Sequence, residues 1–188
     1  MAKTVLQAGK HLLLEKPTAL TAKEARELDR LANSESQTDF KTGGSRAIAT
    51  MDFEFRFIPA WQMLAELLAA GYVGENRLIK IDWLVSGRAD ATRPWNWYAQ
   101  KERGGGVLGA TGSHAFDYIS WLFCPVKRLS GQLITGIAAR PDPNDSGTLR
   151  LVDADDYCKL LLELAGGTRC RVGFSFVTYQ GRGTWVYI

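Results

Sequence analysis

The chain is poor in the residues that bind metals and staple secreted folds. Its 188 residues include only two histidines, His11 and His114, and three cysteines, Cys124, Cys158 and Cys170. The cysteines are far apart and form no C-x-x-C pair, and their odd number fits reduced thiols in a cytoplasmic protein. Two histidines without clustered cysteines argue against a zinc site, so no metal is expected. No apolar stretch approaches the ~18 residues of a membrane span. The opening "MAKTVLQAGKHLLLEKP" lacks the small-residue cleavage site of a signal peptide. There is no run of five like charges, and 23 basic against 20 acidic residues leave a net charge of only +3. That balance argues against a nucleic-acid partner.

A 46% hydrophobic and 23% charged composition is that of an ordinary globular fold. Residues 11–14, His-Leu-Leu-Leu, read as a short strand buried on both faces, as in a parallel sheet. Pro17 ends it. Thr21 and Glu24 form a T-x-x-E capping box, which predicts a helix to about Ala32. The polar "NSESQTDFKTGGSR" (33–46) reads as a loop, and "AIATMDFEFRF" (47–57) as a strand. Pro59 opens a second helix, with Trp61, Leu64, Ala65 and Leu68 at helical spacing and Gly71 at its end.

"RLIKIDWLV" (77–85) alternates, which predicts a half-buried antiparallel strand. An aromatic-rich loop covers 88–103, and "SHAFDYISWLF" (113–123) reads as a helix capped by Ser113. Residues 127–138 read as a strand and 140–148 as a long turn. "YCKLLLEL" and "TRCRVGFSFV" flank an Ala-Gly-Gly hairpin signal, and "GTWVYI" is strand-like. Helices and strands first alternate, then strands dominate, so the pattern is α/β passing into α+β.

The first strand poses a problem. Parallel strands need crossovers of about a dozen residues, and only ten residues precede it. It must pair with a later strand, such as 47–56, or its partners lie outside this sequence. "GGGVLG", Gly104–Gly109, satisfies G-x-G-x-x-G. Yet "YAQKER" before it is not a buried strand, and Asp117 follows too soon to hold a ribose. A glycine turn leading into a helix is the better reading, and it still lets a ligand approach the backbone.

Lys16 stands at the carboxyl end of a parallel-type strand, where ligands bind in open α/β sheets. His114 is expected at a helix N-terminus behind the glycine turn, a place that favours the neutral imidazole. A lysine and a neutral histidine can polarise a carbonyl and shuttle a proton, as alcohol-to-ketone hydride chemistry requires. The plainer reading is a solvated strand-end lysine and a packed helix histidine.

"AGKHLLLEKPTALTAKEARELDRLA", "DFEFRFIPAW" and "GGGVLGATGSHAFDYISWL" together resemble the signatures of the Gfo/Idh/MocA oxidoreductases. They stand in that family's order along nearly the whole chain. The resemblance implies α+β: the end of a Rossmann-type α/β domain (1–57), then an α/β substrate and oligomerisation domain (58–188) with an open, mostly antiparallel sheet. It implies that Lys16 meets nicotinamide and substrate, with Glu15 and Pro17 shaping the cofactor crevice. It makes His114 the acid/base and places Glu54, Phe55, Arg56, Trp95, Trp97 and Asp117 near the substrate. The cofactor would be NAD or NADP, the substrate a sugar, cyclitol or other polyol.

Two departures stand out. The dinucleotide fingerprint and its ribose-reading residue are absent, so the chain is expected to be truncated at its N-terminus, and at its C-terminus too. Ala110 stands where the family often has aspartate, and Asp117, at i+3 from His114, is the candidate substitute. The resulting expectation is a piece or relative of an NAD(P)-dependent polyol oxidoreductase, inactive by itself. The alternatives are a non-catalytic sugar-binding or oligomerisation module and a truncated gene product. Self-association through the open sheet is expected, because one helix layer leaves apolar strand faces uncovered.

Overall fold

A computed structural model describes residues 1–33 and 47–188. The loop expected over 33–46 lies outside the described residues, apart from Asn33. The chain divides into two compact units, Met1–Glu54 and Phe55–Ile188.

In the first unit, helix α1 (Ala2–Gln7) leads to strand β1 (Leu12–Glu15), helix α2 (Ala22–Ala32) and strand β2 (Ala49–Asp52). β1 and β2 pair in parallel, Leu12 beside Ala49 through Glu15 beside Asp52. The early strand therefore takes its partner from later in the chain. α2 begins where the T-x-x-E pattern places it. The Thr21 hydroxyl oxygen accepts from the Glu24 N–H at 3.2 Å, and the Glu24 carboxylate accepts from the Thr21 N–H at 3.0 Å. These bonds satisfy two of the four orphan donors at a helix start. Leu12, Leu14 and Met51 line one side of an open cleft of about 310 Å3, with Leu6, Ala25 and Leu28 on the other. β1 is thus not buried on both faces. Leu13 points away from these helices and is 70% exposed.

The strand expected over 47–57 is shorter than its alternation suggests. β2 ends at Asp52, and Glu54–Phe57 form a 3-10 turn. The aromatic alternation at 53–57 reflects a turn in which Phe55, the first residue of the second unit, packs into that unit's own core.

The second unit continues with α3 (Pro59–Ala69), β3 (Leu78–Leu84) and α4 (Gly106–Leu122). Then come β4 (Val126–Ile134), β5 (Ala139–Asp142), β6 (Asp145–Leu151), β7 (Tyr157–Leu164), β8 (Arg169–Ser175) and β9 (Gly183–Tyr187). Five strands form an open sheet in the order β4-β7-β8-β3-β9. β3 corrects one expectation. It is antiparallel to β9 but parallel to β8, because β8 reaches it after α4 and the β4–β7 strands rather than through a hairpin.

The period-two pattern sets the core. Ile79 and Ile81 of β3, Cys158, Leu160, Leu162 and Leu164 of β7, and Cys170, Val172 and Phe174 of β8 share one buried face. Val107, Tyr118 and Ile119 of α4 close over it, with Trp61, Leu64, Ala65 and Leu68 of α3 at its margin. Each fully buried large apolar side chain contributes about 1.5–3 kcal/mol.

α4 starts eight residues earlier than the Ser113 cap would have it. Gly105 is the N-cap and Ser113 lies mid-helix. The cap is supplied from far along the chain: the Asp155 carbonyl accepts from Val107 N–H at 2.8 Å, and its carboxylate from Leu108 N–H at 2.9 Å. Gly106 has φ +86°, and a Cβ there would run into the Asp155 carboxylate. Glycine's low helix propensity, roughly 1 kcal/mol against alanine, is outweighed because this first turn is buried.

The long turn expected at 140–148 is a second sheet, the hairpin β5–β6. Its tip is tied by side chains that sequence patterning reads as loop formers. Asp142 accepts from the Asn144 N–H at 2.8 Å, and Asp145 from the Thr148 hydroxyl at 2.6 Å. Among the described residues, no helix is long and apolar enough to cross a membrane.

Candidate functional site

Lys16 follows the last residue of β1, at the carboxyl end of the parallel pair. It is half-buried, flanked by exposed Glu15 and Pro17, and the Lys16–Pro17 bond is cis. The extended strand and the proline fix where the lysine leaves the sheet.

His114 is in the middle of α4, not at its start. A helix dipole acts within the first turn, so the expected dipolar bias on this imidazole does not apply. Burial among aromatic rings defines its setting instead, with 6% of the residue exposed. The Phe55 ring stands edge-on to the imidazole at 5.2 Å, and Trp83 lies at 6.3 Å. Phe55 also meets Trp61 at 5.1 Å, Trp83 at 5.6 Å and Tyr118 at 5.6 Å, and Trp61 meets Tyr118 at 4.6 Å. Edge-to-face geometry of this kind adds to plain area burial.

Helical spacing puts His114, Asp117, Tyr118 and Trp121 on one stripe of α4. Arg56, from the 3-10 turn, binds this stripe. Its Nε donates to Asp117 Oδ2 at 2.9 Å and its Nη2 to Oδ1 at 2.7 Å. The guanidinium carbon also lies 5.6 Å from the Trp121 ring centroid. The Asp117 side chain is 9% exposed and that of Arg56 43%. The bond to Asp117 raises the Arg56 pKa further above its ordinary value. Asp117, the candidate orienter of His114, thus directs both oxygens to Arg56. The Tyr118 hydroxyl is buried, with no hydrogen-bond partner among the described residues. Burial, chiefly, pushes its pKa upward.

Trp95 and Trp97 make their contacts elsewhere. The Trp95 indole donates to the Leu151 carbonyl at 2.9 Å, and the Arg150 guanidinium carbon sits 3.5 Å from its ring centroid. Trp95 thereby pins its loop to the β5–β6 hairpin. The Trp97 ring lies tilted against that of Tyr98, with centroids 4.0 Å apart. Glu54 is exposed.

The glycine-rich start of α4 has no room for a phosphate, because the Asp155 carboxylate already takes the Leu108 N–H. Burial raises the Asp155 pKa. Nearby, Arg140 is 2% exposed and donates to the Asp90 and Arg88 carbonyls at 2.8 and 2.6 Å. Asp156 accepts from the Gly136 and Ile137 N–H groups, both at 2.8 Å. The cavity enclosed there measures about 10 Å3. That is room for roughly one water, not a ligand. The described residues hold no cluster of three His, Cys, Asp or Glu side chains suited to a metal ion.

Trp61, Trp83 and Tyr118 were not among the sequence-derived site residues. Tyr118 was within reach, being four residues beyond His114 on one helix. Asp155 was not, since its partners lie 47 residues away.

Comparison with known proteins agrees with this architecture. The GFO/IDH/MocA C-terminal domain matches residues 61–188, and the oxidoreductase family with an NAD-binding Rossmann fold matches residues 1–41. An uncharacterized oxidoreductase of Synechocystis sp. is 48% identical over 189 residues, covering 100% of this chain and 48% of that protein. The levoglucosan dehydrogenase of Pseudarthrobacter phenanthrenivorans is 26% identical over 200 residues, covering 100% of this chain and 48% of its own length. The crystal structure of an oxidoreductase domain protein from Kribbella flavida superposes with a TM-score of 0.85 at 27% identity, covering 98% of this chain and 47% of that one. The chain spans about half the length of the curated relatives it matches. The chain belongs to the Gfo/Idh/MocA family of NAD-binding oxidoreductases.

Proposed function

We propose that the chain is the substrate-side part of an NAD(P)-dependent oxidoreductase acting on a sugar, cyclitol or related polyol. The observation that carries this is the α4 stripe. It sets an imidazole among aromatic rings beside an Arg56–Asp117 pair. Aromatic faces suit the C–H faces of a sugar ring, and a bidentate ion pair suits its hydroxyls. The similarity to levoglucosan dehydrogenase supports the same substrate class.

Bound nicotinamide would supply the hydride acceptor. With nicotinamide bound, His114 would accept the hydroxyl proton of the substrate carbinol. Lys16, with Glu15 and Pro17 at the carboxyl end of β1, would take the nicotinamide side. Phe55 and Arg56 contribute to the substrate wall, and Asp117 holds Arg56 in place. Glu54, Trp95 and Trp97 take outer positions. The domain reading follows, with 1–57 as the cofactor-side piece and 58–188 as the substrate and oligomerisation part. Self-association through the five-stranded sheet belongs to the same proposal. So does a cytoplasmic location, which the unpaired thiols of Cys124, Cys158 and Cys170 support.

A second reading is a non-catalytic sugar-binding module. It is favoured by Ala110 standing where the family often has aspartate, while Asp117 is committed to Arg56.

The test is saturation-transfer NMR of the purified chain with levoglucosan, inositol and glucose, alongside NADH and NADPH titrations read by nicotinamide fluorescence. At least one polyol is expected to bind and to lose binding in His114→Ala and Trp83→Ala. Neither nucleotide is expected to saturate the chain below millimolar concentration. Polyol binding indifferent to both substitutions overturns the site. Saturable nucleotide binding overturns the substrate-side assignment.

A further inference from the structure

The four residues Glu54–Phe57 make a single turn of 3-10 helix. Such a turn has poor internal hydrogen bonds, so its place is set by what its residues hold. Arg56 holds two helices at once. Its guanidinium meets both oxygens of Asp117 on α4, at 2.9 and 2.7 Å, and lies against the Trp121 ring one turn further on. Its carbonyl accepts from the Gln62 side-chain amide of α3 at 3.1 Å. Gln62 is exposed, and the inner stripe of α3 packs on the core without it.

Phe55, the residue before Arg56, is the ring on which the others converge. It meets Trp61 of α3 at 5.1 Å, Trp83 of β3 at 5.6 Å, and His114 and Tyr118 of α4 at 5.2 and 5.6 Å. Phe55 and Arg56 are consecutive, so a shift of the Arg56 backbone carries the Phe55 ring with it. Ring contacts are sensitive to such a shift: a gap of roughly 0.5–1 Å forfeits a quarter to a half of the dispersion attraction. Ala110 offers no carboxylate to aim the imidazole, and Asp117 directs both of its oxygens to Arg56. Asp117 therefore reaches His114 at one remove, through the turn.

We propose that Gln62, Arg56 and Asp117 form a latch that holds the Phe55 ring against the His114 imidazole. All three are positioning residues for His114. Gln62 ties the turn to α3 and Asp117 ties it to α4, and Phe55 transmits the result to the imidazole. This role rests on the reading of His114 as the acid/base given above.

The chain has only two histidines, which makes the test direct. In protein carrying isotope-labelled histidine, His114→Ala identifies the His114 imidazole signals. His11 lies in the other compact unit and serves as the internal control. The parent is expected to show nuclear Overhauser contacts between the His114 and Phe55 rings. Phe55→Leu marks where the imidazole signals fall without that wall. Arg56→Met, Gln62→Met and Asp117→Asn are each expected to weaken the ring contacts and to move the His114 signals toward the Phe55→Leu position, with His11 unmoved. Should Arg56→Met fail to fold by circular dichroism, Gln62→Met decides, because it changes an exposed helix position. His114 signals and ring contacts unchanged in folded Gln62→Met and Asp117→Asn overturn the latch, even where those variants melt lower. A merely structural tie lowers Tm and leaves the imidazole where it was. Polyol titration of the same samples separates the two readings. A parent that binds no polyol overturns the substrate site, while displaced His114 signals in the variants still uphold the latch.

Discussion

Arg56→Met keeps a long apolar stem over Trp121 but removes the cation from Asp117. The Asp117 side chain is only 9% exposed, so the substitution strands a nearly buried carboxylate. A buried pair broken this way costs about 3–5 kcal/mol, and an exposed pair under about 1 kcal/mol. Arg56 is 43% exposed, so water reaches the vacated side. That discounts the cost to about 2 kcal/mol. Asp117→Asn leaves an acceptor for the guanidinium, and its cost is about 1 kcal/mol. The double variant removes both the stranded charge and the unmatched cation. It should cost less than the two singles added together, with a coupling of about 1–2 kcal/mol. The assay is urea unfolding of all four proteins, followed by tryptophan fluorescence. For a unit of this size, Arg56→Met should also lower Tm by roughly 5–10 °C. Additive single effects, with coupling below about 0.3 kcal/mol, would refute the claim that this pair fixes the 3-10 turn on α4.

The remaining predictions concern the thiols and the first unit. Burial pushes the Cys158 thiol up to about 11 and the Cys170 thiol up to about 12. At pH 8 their thiolate fractions are then on the order of one in a thousand and one in ten thousand. Native protein should give one prompt thiol with Ellman's reagent, Cys124, and three after denaturation; two or more prompt native thiols would contradict the burial. Thr21→Ala removes half of the capping box and should cost the α2 region about 1 kcal/mol. Hydrogen exchange near residues 22–25 checks this, and unchanged protection there would show that the cap is not limiting.

Legibility in the sequence followed the range of the interactions involved. The α2 start was readable because Thr21 and Glu24 satisfy each other within three residues. The β7–β8 hairpin was readable because its turn and alternation are local. The α4 start was misplaced because its cap is Asp155, and no propensity near Gly104–Gly106 announces a carboxylate arriving from there. The β5–β6 hairpin was read as a turn because its Pro, Asp and Asn residues are turn formers; pairing across the hairpin outweighed them. His114 was identified as a residue of interest, but its surroundings were wrong for the same reason as the helix start.

The sequence by itself determined what depends on near neighbours and on pattern: the capping box, the helical and period-two faces, and the Glu-Lys-Pro and glycine–histidine signatures of the family. Tertiary structure alone decided that β3 runs parallel to β8, and that Arg56 finds Asp117 across 61 residues. It alone decided that the imidazole of His114 is walled by Phe55 and Trp83. The physical reason is that a cap or a periodicity costs and gains its free energy within a few residues. Burial of a charge or a ring is instead set by whichever distant segments exclude water from it.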